Sequence, residues 1–596
     1  MQTSLPQTWN LERFFPGGSG SSAFADFLEE LNGNIATLNG MLGKLSVPDS
    51  AEAAAELLPV IDLLQQASLQ IREADSFTAC LAAENQNDKK AVILSGQVKS
   101  IGADYASALT RFDDFLTRIG DEAWNALLAR PELKEITYPL EERRALAAEK
   151  LPPEQEALIN DLAVDGYHGW GELYNTAVGK FRLSFEDNGV VTELSAGQAA
   201  NKMHSPDRGV RERLFRGWEA QWEDLADYCA DALNHLGGFR LKLYERRGWE
   251  SIHKEPLAVN RMSQETLDAM WGVIERNKDV FVQYLERKAK LLGVEKLSWH
   301  DVEAPVGGGG ETYSYDEGAK LIVDQFRRFS PKLADFSVQA FESRWIEAED
   351  RPGKRPGGFC TSFPLAQETR IFMTYGGTAS NVSTLAHELG HGYHQHVMND
   401  LPALAQEYAM NVAETASTFA EMVVSDAAVK GASTAAERLT LLEDKIQRSV
   451  AFYMNIHARF IFETAFYEER RRGIVSAERL SELMVSAQKT AYRDALNEYH
   501  PHFWASKLHF YITEVPFYNF PYTFGYMFST GLYAEALRLG EAFEERYVAL
   551  LRDTGRMTVE ELAAKHLGID LRKPDFWQQA MDLSIADVRE FMKLTE

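Results

Sequence analysis

The sequence predicts a mainly α-helical protein of two or more lobes, and three observations carry that prediction. Apolar residues recur at three- and four-residue spacing with charges between them, as in Leu439, Leu441, Leu442, Ile446, Val450 and Tyr453, the period of a helix with one buried face. Strand-like alternation is confined to a few short segments. The 596 residues are several times the usual length of one domain.

In chain order, helical patterns fill residues 21 to 150, punctuated by Pro and Gly. Phe181 to Phe185 then alternates apolar and polar residues, Asp187-Asn188-Gly189 is a turn signal, and Val190 to Leu194 follows. This reads as a hairpin with an Asn-Gly turn. It is the expected seam between an N-terminal helical lobe, residues 1–189, and the remainder, residues 190–596. The run Gly307 to Gly310 and the Pro/Gly-rich basic stretch Arg351 to Gly358 lack the Gly-x-x-x-x-Gly-Lys-Ser/Thr pattern that cradles phosphate, and read as flexible loops. Thr369 to Tyr375 alternates imperfectly and stops at Gly376-Gly377, which marks a second strand. Glu437 to about Arg472 reads as one long helix stopped at Gly473. No repeat of fixed period and no low-complexity tract interrupts the chain.

Composition narrows the function. Hydrophobic residues make up 45% and charged residues 25%, which is ordinary for a packed globular protein. The three cysteines, Cys80, Cys229 and Cys360, are too few and too scattered for a disulfide framework, and suit a reducing compartment. Their spacing excludes a Cys-rich zinc ribbon, so any zinc is held by His and carboxylates. The start, Met1 to Trp9, has neither a basic region nor an apolar one, and no run of 18 apolar residues follows. A cytoplasmic protein without a membrane span is expected. The formal charge of −26 disfavours nucleic acid and anionic membrane as partners. Its simplest reading is a solvated acidic surface, although it can also steer basic peptides.

His387-Glu388-Leu389-Gly390-His391 carries the chemistry. Residues i and i+4 share one helix face, so both imidazoles can point at a single ion. The Glu between them lies off that line, within reach of a water on the metal but not of the metal itself. With 14 His in 596 residues, fewer than roughly 0.05 such matches arise by chance. Thr378, Ser380 and Asn381 are acceptable N-caps. Val382, Leu385 and Leu389 form the apolar stripe of the helix, and both histidines fall away from it. A catalytic zinc needs a third protein ligand. His394 lies seven residues, roughly 10 Å of rise, beyond His387, too far to share its ion. The metzincin extension fails as well, because it requires Gly at 394 and His at 397. A downstream Glu remains. Glu407, Glu414 and Glu421 are the candidates, and their spacing does not choose among them.

His387 to His394, followed by Glu414-Thr415-Ala416-Ser417-Thr418-Phe419-Ala420-Glu421, resembles the thimet oligopeptidase-like zinc metallopeptidase family. Arg351 to Cys360 is similar to the loop ahead of that family's substrate-binding strand. His509-Phe510-Tyr511 and Pro516-Phe517-Tyr518, running to Gly525, resemble its C-terminal His/Tyr segment. The likeness is strong from about residue 190 to 580 and looser before that. It implies a two-lobed helical metallopeptidase with a deep central channel and a small β-sheet beside the zinc helix. It implies one zinc per chain, with Glu414 as the third ligand, Glu421 beside the site and Glu407 a solvated charge. Asn381 departs from the Asp usual in the oligoendopeptidase branch, which removes a carboxylate that could support the zinc helix. Tyr518 and Tyr522 match that branch, whereas Gly525-Tyr526 resembles the thimet branch.

The resulting expectation is a zinc endopeptidase that cuts short peptides internally. Glu388 is the general base, His509 and one or more of Tyr518, Tyr522 and Tyr526 stabilise the oxyanion, and the strand Thr369 to Tyr375 pairs with the substrate backbone. A metallo-exopeptidase, such as a carboxypeptidase or dipeptidyl carboxypeptidase, is the alternative. An inactive zinc-containing peptide carrier is disfavoured, because mere binding has no use for Glu388.

Overall fold

The computed structural model describes residues 4–48, 50–187, 189–307 and 312–596. It is 71% helical with one two-stranded and one three-stranded sheet, which is the mainly α class predicted. Among the described residues no helix is long and apolar enough to cross a membrane.

The chain forms two compact units, and neither is continuous in sequence. The first comprises Met1–Lys150, Glu311–Ala427 and Glu535–Ile569; the second comprises Leu151–Gly310, Ala428–Ala534 and Asp570–Glu596. The division therefore does not follow the boundary expected at 189. Residues 151–189 belong to the second unit, and the N-terminal helices share a unit with the His387–His391 segment.

Packing in the first unit explains that grouping. Helices Ser22–Leu42, Leu58–Glu84 and Lys89–Thr117 bury apolar stripes that include Phe24, Leu28, Leu31, Phe77, Val98 and Ile101. These form one core with Phe363 and Phe372 of the three-stranded sheet. The N-terminal residues thus cover the sheet that precedes His387–His391. In the sheet, Glu368–Phe372 is the middle strand, parallel to Ile346–Glu347 and antiparallel to Phe359–Phe363. Four of its five residues are buried, which blurs the alternation that marks a half-exposed strand. The segment expected to accept a peptide as an added strand is therefore hydrogen-bonded on both sides, and that expectation is corrected. The outer edge belongs to Phe359–Phe363, which pairs with no other strand among the described residues.

Arg351 to Gly358 is also not the flexible loop expected. Arg355 N donates to Ala83 O (2.9 Å), and Gln86 N donates to Gly353 O (2.9 Å). Lys354 Nζ donates to the carbonyls of Glu349 and Met373. Backbone bonds of this kind hold a connector as firmly as a regular element.

The second unit is built on Arg208–Arg247, a helix of 40 residues capped by Asp207, together with Gln264–Leu291, Ala477–Ala491 and Pro574–Leu594. The hairpin forms, with Leu183–Asp187 antiparallel to Val190–Leu194; its first strand thus starts two residues later than the expected Phe181 to Phe185 and takes in Asp187 from the expected turn. Its turn residue Asn188 lies outside the described residues, as do Gly308, Gly309 and Gly310 of the glycine run. The long helix expected from Glu437 is Ala435–Val450 continued by Ile456–Arg470, with a π-helical turn at Ala451–Asn455 between them. Such a turn displaces a carbonyl from the i→i−4 ladder. Thr523 Oγ1 donates to Phe452 O (2.8 Å), which supplies the partner.

Candidate metal centre

The helix Ala379–His396 starts where the chain leaves the sheet. Gly377 has φ +82°, a left-handed conformation that a side chain resists, and it turns the strand into the helix. Thr378 Oγ1 accepts from Asn381 N (3.1 Å), and Asn381 Oδ1 accepts from Thr378 N (3.3 Å) and Gly376 N (2.9 Å). This is a reciprocal capping box, so Asn381 is the acceptor at the helix start. Val382, Leu385 and Leu389 are buried and fix the rotation of the helix. His387 and His391 emerge on its partly exposed side, with ring centroids 4.8 Å apart.

The third group arrives because Gly390 has no side chain. A Cβ there would lie 2.5 Å from Ala416 O and 2.6 Å from Ser417 Cα, so the segment that opens helix Thr415–Gly431 touches the metal helix backbone to backbone. Glu414 immediately precedes that helix. Its Oε2 is 3.2 Å from His387 Nε2 and 3.4 Å from His391 Nε2. One ligand atom from each of the three residues lies within 4.8 Å of the others. Ser417 Oγ donates to Glu414 Oε2 (2.8 Å) and holds the carboxylate in place. Burial opposes ionisation of Glu414, but its hydrogen bonds to His387 and His391 outweigh that and hold it well below the ordinary carboxylate range.

The other two candidate carboxylates have different partners. Glu421 Oε2 is 3.2 Å from Nδ1 of His387, the ring atom turned away from Glu414. With an ion in place of the Glu414 contact, an Nδ1–H donated there would leave the Nε2 lone pair for that ion. Glu407 pairs with Arg143 (3.2 Å). His394 is fully buried, 2.9 Å from Thr554 Oγ1 and stacked on Tyr408. Burial draws its imidazole down to about 3, so it is a neutral packing residue.

Glu388 is 7% exposed. Burial raises its carboxyl above the ordinary range, against the pull of the two imidazoles. Gly358, at the start of the edge strand, runs beside it: a Cβ there would be 3.5 Å from Glu388 Oε1. The edge strand and the glycine that lets it pass Glu388 had no signal in the sequence, since Phe359 to Phe363 does not alternate. Ser417 was visible only as part of the family-like stretch.

The remaining predicted residues belong to the second unit. His509 is flanked by Tyr518 and Tyr522, with centroids at 5.4 and 6.5 Å, and the two tyrosines are 5.9 Å apart. Burial draws His509 down to about 4, helped by the cations Arg459 and Lys507. Phe517 adopts φ +53°, a conformation that costs a bulky residue energy. Its N–H donates to Glu463 (3.0 Å), and this sharp turn presents Tyr518. Tyr526 stands apart from the group, with its hydroxyl 2.9 Å from Ser449 Oγ and its ring stacked on Phe452.

Comparison with known proteins adds identity to this geometry. The model of Peptidase family M3 matches residues 201–583, and that of Oligopeptidase F matches residues 116–182. An oligoendopeptidase F homolog of Lactococcus lactis subsp. lactis (strain IL1403) is 23% identical over 561 residues, covering 92% of this chain and 91% of that protein. Group B oligopeptidase PepB of Streptococcus agalactiae is 22% identical over 569 residues, covering 92% of this chain and 91% of its own. Among solved structures, oligoendopeptidase-F from Enterococcus faecium has a TM-score of 0.68 at 19% identity, covering 96% of this chain and 98% of that one. A Chlamydophila abortus protein has a TM-score of 0.84 at 18% identity, covering 99% and 98%. The structural likenesses bear on the fold; the family match bears on the chemistry.

Proposed function

The chain belongs to peptidase family M3 and is a metallopeptidase acting on oligopeptides, and from that premise we propose that it is a zinc endopeptidase whose base is Glu388. One observation carries the proposal: two imidazole nitrogens and one carboxylate oxygen converge within 4.8 Å, with a buried carboxyl beside them. Two nitrogens and an oxygen are a donor set that suits zinc. His387, His391 and Glu414 would hold the ion, and Glu421 would fix the tautomer of His387.

When bound, zinc supplies Lewis-acid polarisation of water and of the scissile carbonyl. Glu388 accepts a proton from the attacking water and delivers it to the leaving amine nitrogen. The edge Phe359–Phe363 offers backbone donors and acceptors to an extended peptide, a recognition that ignores side-chain identity. His509 and Tyr518 are proposed as donors to the oxyanion, with Tyr522 beside them; the family resemblance supports this assignment. The hydrogen bond and stacking of Tyr526 favour a packing role for it. Three free cysteines agree with a reducing cytoplasm, which is part of the same proposal.

Peptides blocked at both termini, with a quenched fluorophore across the chain, test the reading. Wild type cuts them internally, and Glu388→Gln retains one zinc per chain but loses turnover. Turnover by zinc-loaded Glu388→Gln would remove Glu388 as the base. Cleavage restricted to peptides with a free terminus would replace the endopeptidase with an exopeptidase.

A further inference from the structure

The second unit contains a cavity of about 270 Å³ whose lining includes Arg459, Lys507, Phe503, Trp299 and Glu303. Its chemistry is set by two cations on one aromatic ring. Arg459 donates from Nε to Asn455 Oδ1 (2.9 Å) and from Nη1 to Asn519 Oδ1 (2.8 Å). These bonds fix its guanidinium 5.1 Å from the centroid of Phe503. Lys507 Nζ stands 5.0 Å from the same centroid.

Neither cation has an anion in contact, although Glu303 attracts both through space. Among the described residues no carboxylate lies within ion-pair distance of Arg459 or Lys507. Glu303 is the one acid lining the cavity; its side chain is 60% exposed and lies 3.9 Å from His204. Burial draws Lys507 down to about 8, and Arg459 adds to that. Burial likewise draws Arg459 down to about 10. Two partly desolvated cations held about one ring are costly unless an anion joins them. The two asparagines take only part of the donor fork of the guanidinium, and the ammonium makes no hydrogen bond among the described residues, so both have donors to offer.

Position says which anion. Lys507 is two residues before His509, and Asn519, which holds Arg459, follows Tyr518 directly. The cavity therefore adjoins the His509 group. Its volume falls below the roughly 300–1,000 Å³ of pockets that enclose drug-sized ligands, so it suits one residue and not a whole peptide. We propose that this cavity binds a peptide carboxylate, either a free C-terminus or an acidic side chain, through Lys507 and Arg459, with Phe503 and Trp299 as its apolar wall. The choice of a peptide as ligand rests on the peptidase reading. On this proposal the enzyme selects part of its substrate by charge, in addition to any pairing with the backbone.

Equilibrium binding to the zinc-loaded Glu388→Gln protein tests it without turnover. The probes are the N-acetylated pentapeptide Ala-Ala-Ala-Ala-Phe as its free acid, the same peptide as C-terminal amide, and the amide with Glu in place of Phe. A charge-assisted contact predicts that at least one carboxylate peptide binds about tenfold more tightly than the Phe amide. Preference for the free acid identifies the C-terminus; preference for the Glu amide identifies the side chain. Adding Lys507→Met abolishes the preference, and Lys507→Arg restores much of it, which separates charge from folding. Equal binding of all three peptides, no binding of any, or a preference that survives Lys507→Met overturns the proposal. Wild-type turnover separates the two readings. Carboxylate-dependent binding without cleavage of any peptide defeats the peptidase reading alone, whereas cleavage with no carboxylate preference in binding defeats the pocket alone.

Discussion

Gly390→Ala adds one methyl group where the metal helix touches the start of the next. That carbon would lie 2.5 Å from Ala416 O and 2.6 Å from Ser417 Cα. Carbon and oxygen in close contact sit about 3.3 Å apart or more, so something must move by roughly 0.8 Å. Both obstructing atoms are backbone, so the segment moves as a body and takes Glu414 with it. Overpacking of this kind costs about 1–3 kcal/mol, and the helical preference of Ala over Gly returns roughly 1 kcal/mol. The unfolding midpoint is thus a weak reporter. Metal affinity is a strong one, because three donor atoms within 4.8 Å cannot stay convergent when one shifts by that amount. A misplacement near 1 Å also costs on the order of 100-fold in turnover. The assay is zinc competition against a chromophoric chelator, paired with kcat/KM on a blocked peptide at saturating zinc. Wild-type zinc affinity and wild-type turnover in Gly390→Ala would refute the close-approach argument. Gly392→Ala is the control, since its nearest obstructions are side-chain atoms of Phe336 and Thr369 at 3.0 Å.

Three further outcomes follow from the same contacts. Glu421→Ala frees Nδ1 of His387 and should weaken zinc binding by about 10–100-fold; an unaltered affinity in the same competition assay removes Glu421 from that role. Asn381→Asp keeps both acceptor contacts and adds a negative charge at the helix N-terminus, worth about 0.3–1 kcal/mol, so calorimetry at neutral pH should show a higher unfolding midpoint. His394 is neutral in the folded protein down to about pH 3, whereas in the unfolded chain it binds a proton below about 6.5. Its contribution is therefore present above about pH 6.5 and lost as pH falls toward 3, at up to about 1.4 kcal/mol per unit. The deficit of His394→Asn relative to wild type should shrink between about pH 7.5 and 5, and a deficit independent of pH counts against the assignment.

What the sequence disclosed depended on how local the cause was. The helix Ala379–His396, its cap and its buried stripe follow from neighbours within four residues, and all were legible. So was the exclusion of His394, a matter of helical rise. Which glutamate faces the histidines was not, because it depends on how the connection after Met398 returns the chain to Gly390. The glycine of the motif records that crossing, but only once the partner helix is known. Glu368–Phe372 shows its strand character in sequence, yet its place in the middle of the sheet is set by Ile346–Glu347, too short to show a period, and Phe359–Phe363, which does not alternate. The π-helical turn at Ala451–Asn455 leaves the apolar period of the long helix nearly intact, which is why the pattern read as one uninterrupted helix. Arg459 and Lys507 look like any surface cations until the fold stands them over one ring.

The discontinuity of the first unit also sets a timetable for biosynthesis. His394, on the metal helix, finds its partner Thr554 160 residues later. At ribosomal speeds of about 5–20 residues per second, the nascent chain carries His387 and His391 for roughly 8–30 s before Glu535–Ile569 can close the unit around them. Closure of the first unit around that helix is thereby deferred until Glu535–Ile569 has been made.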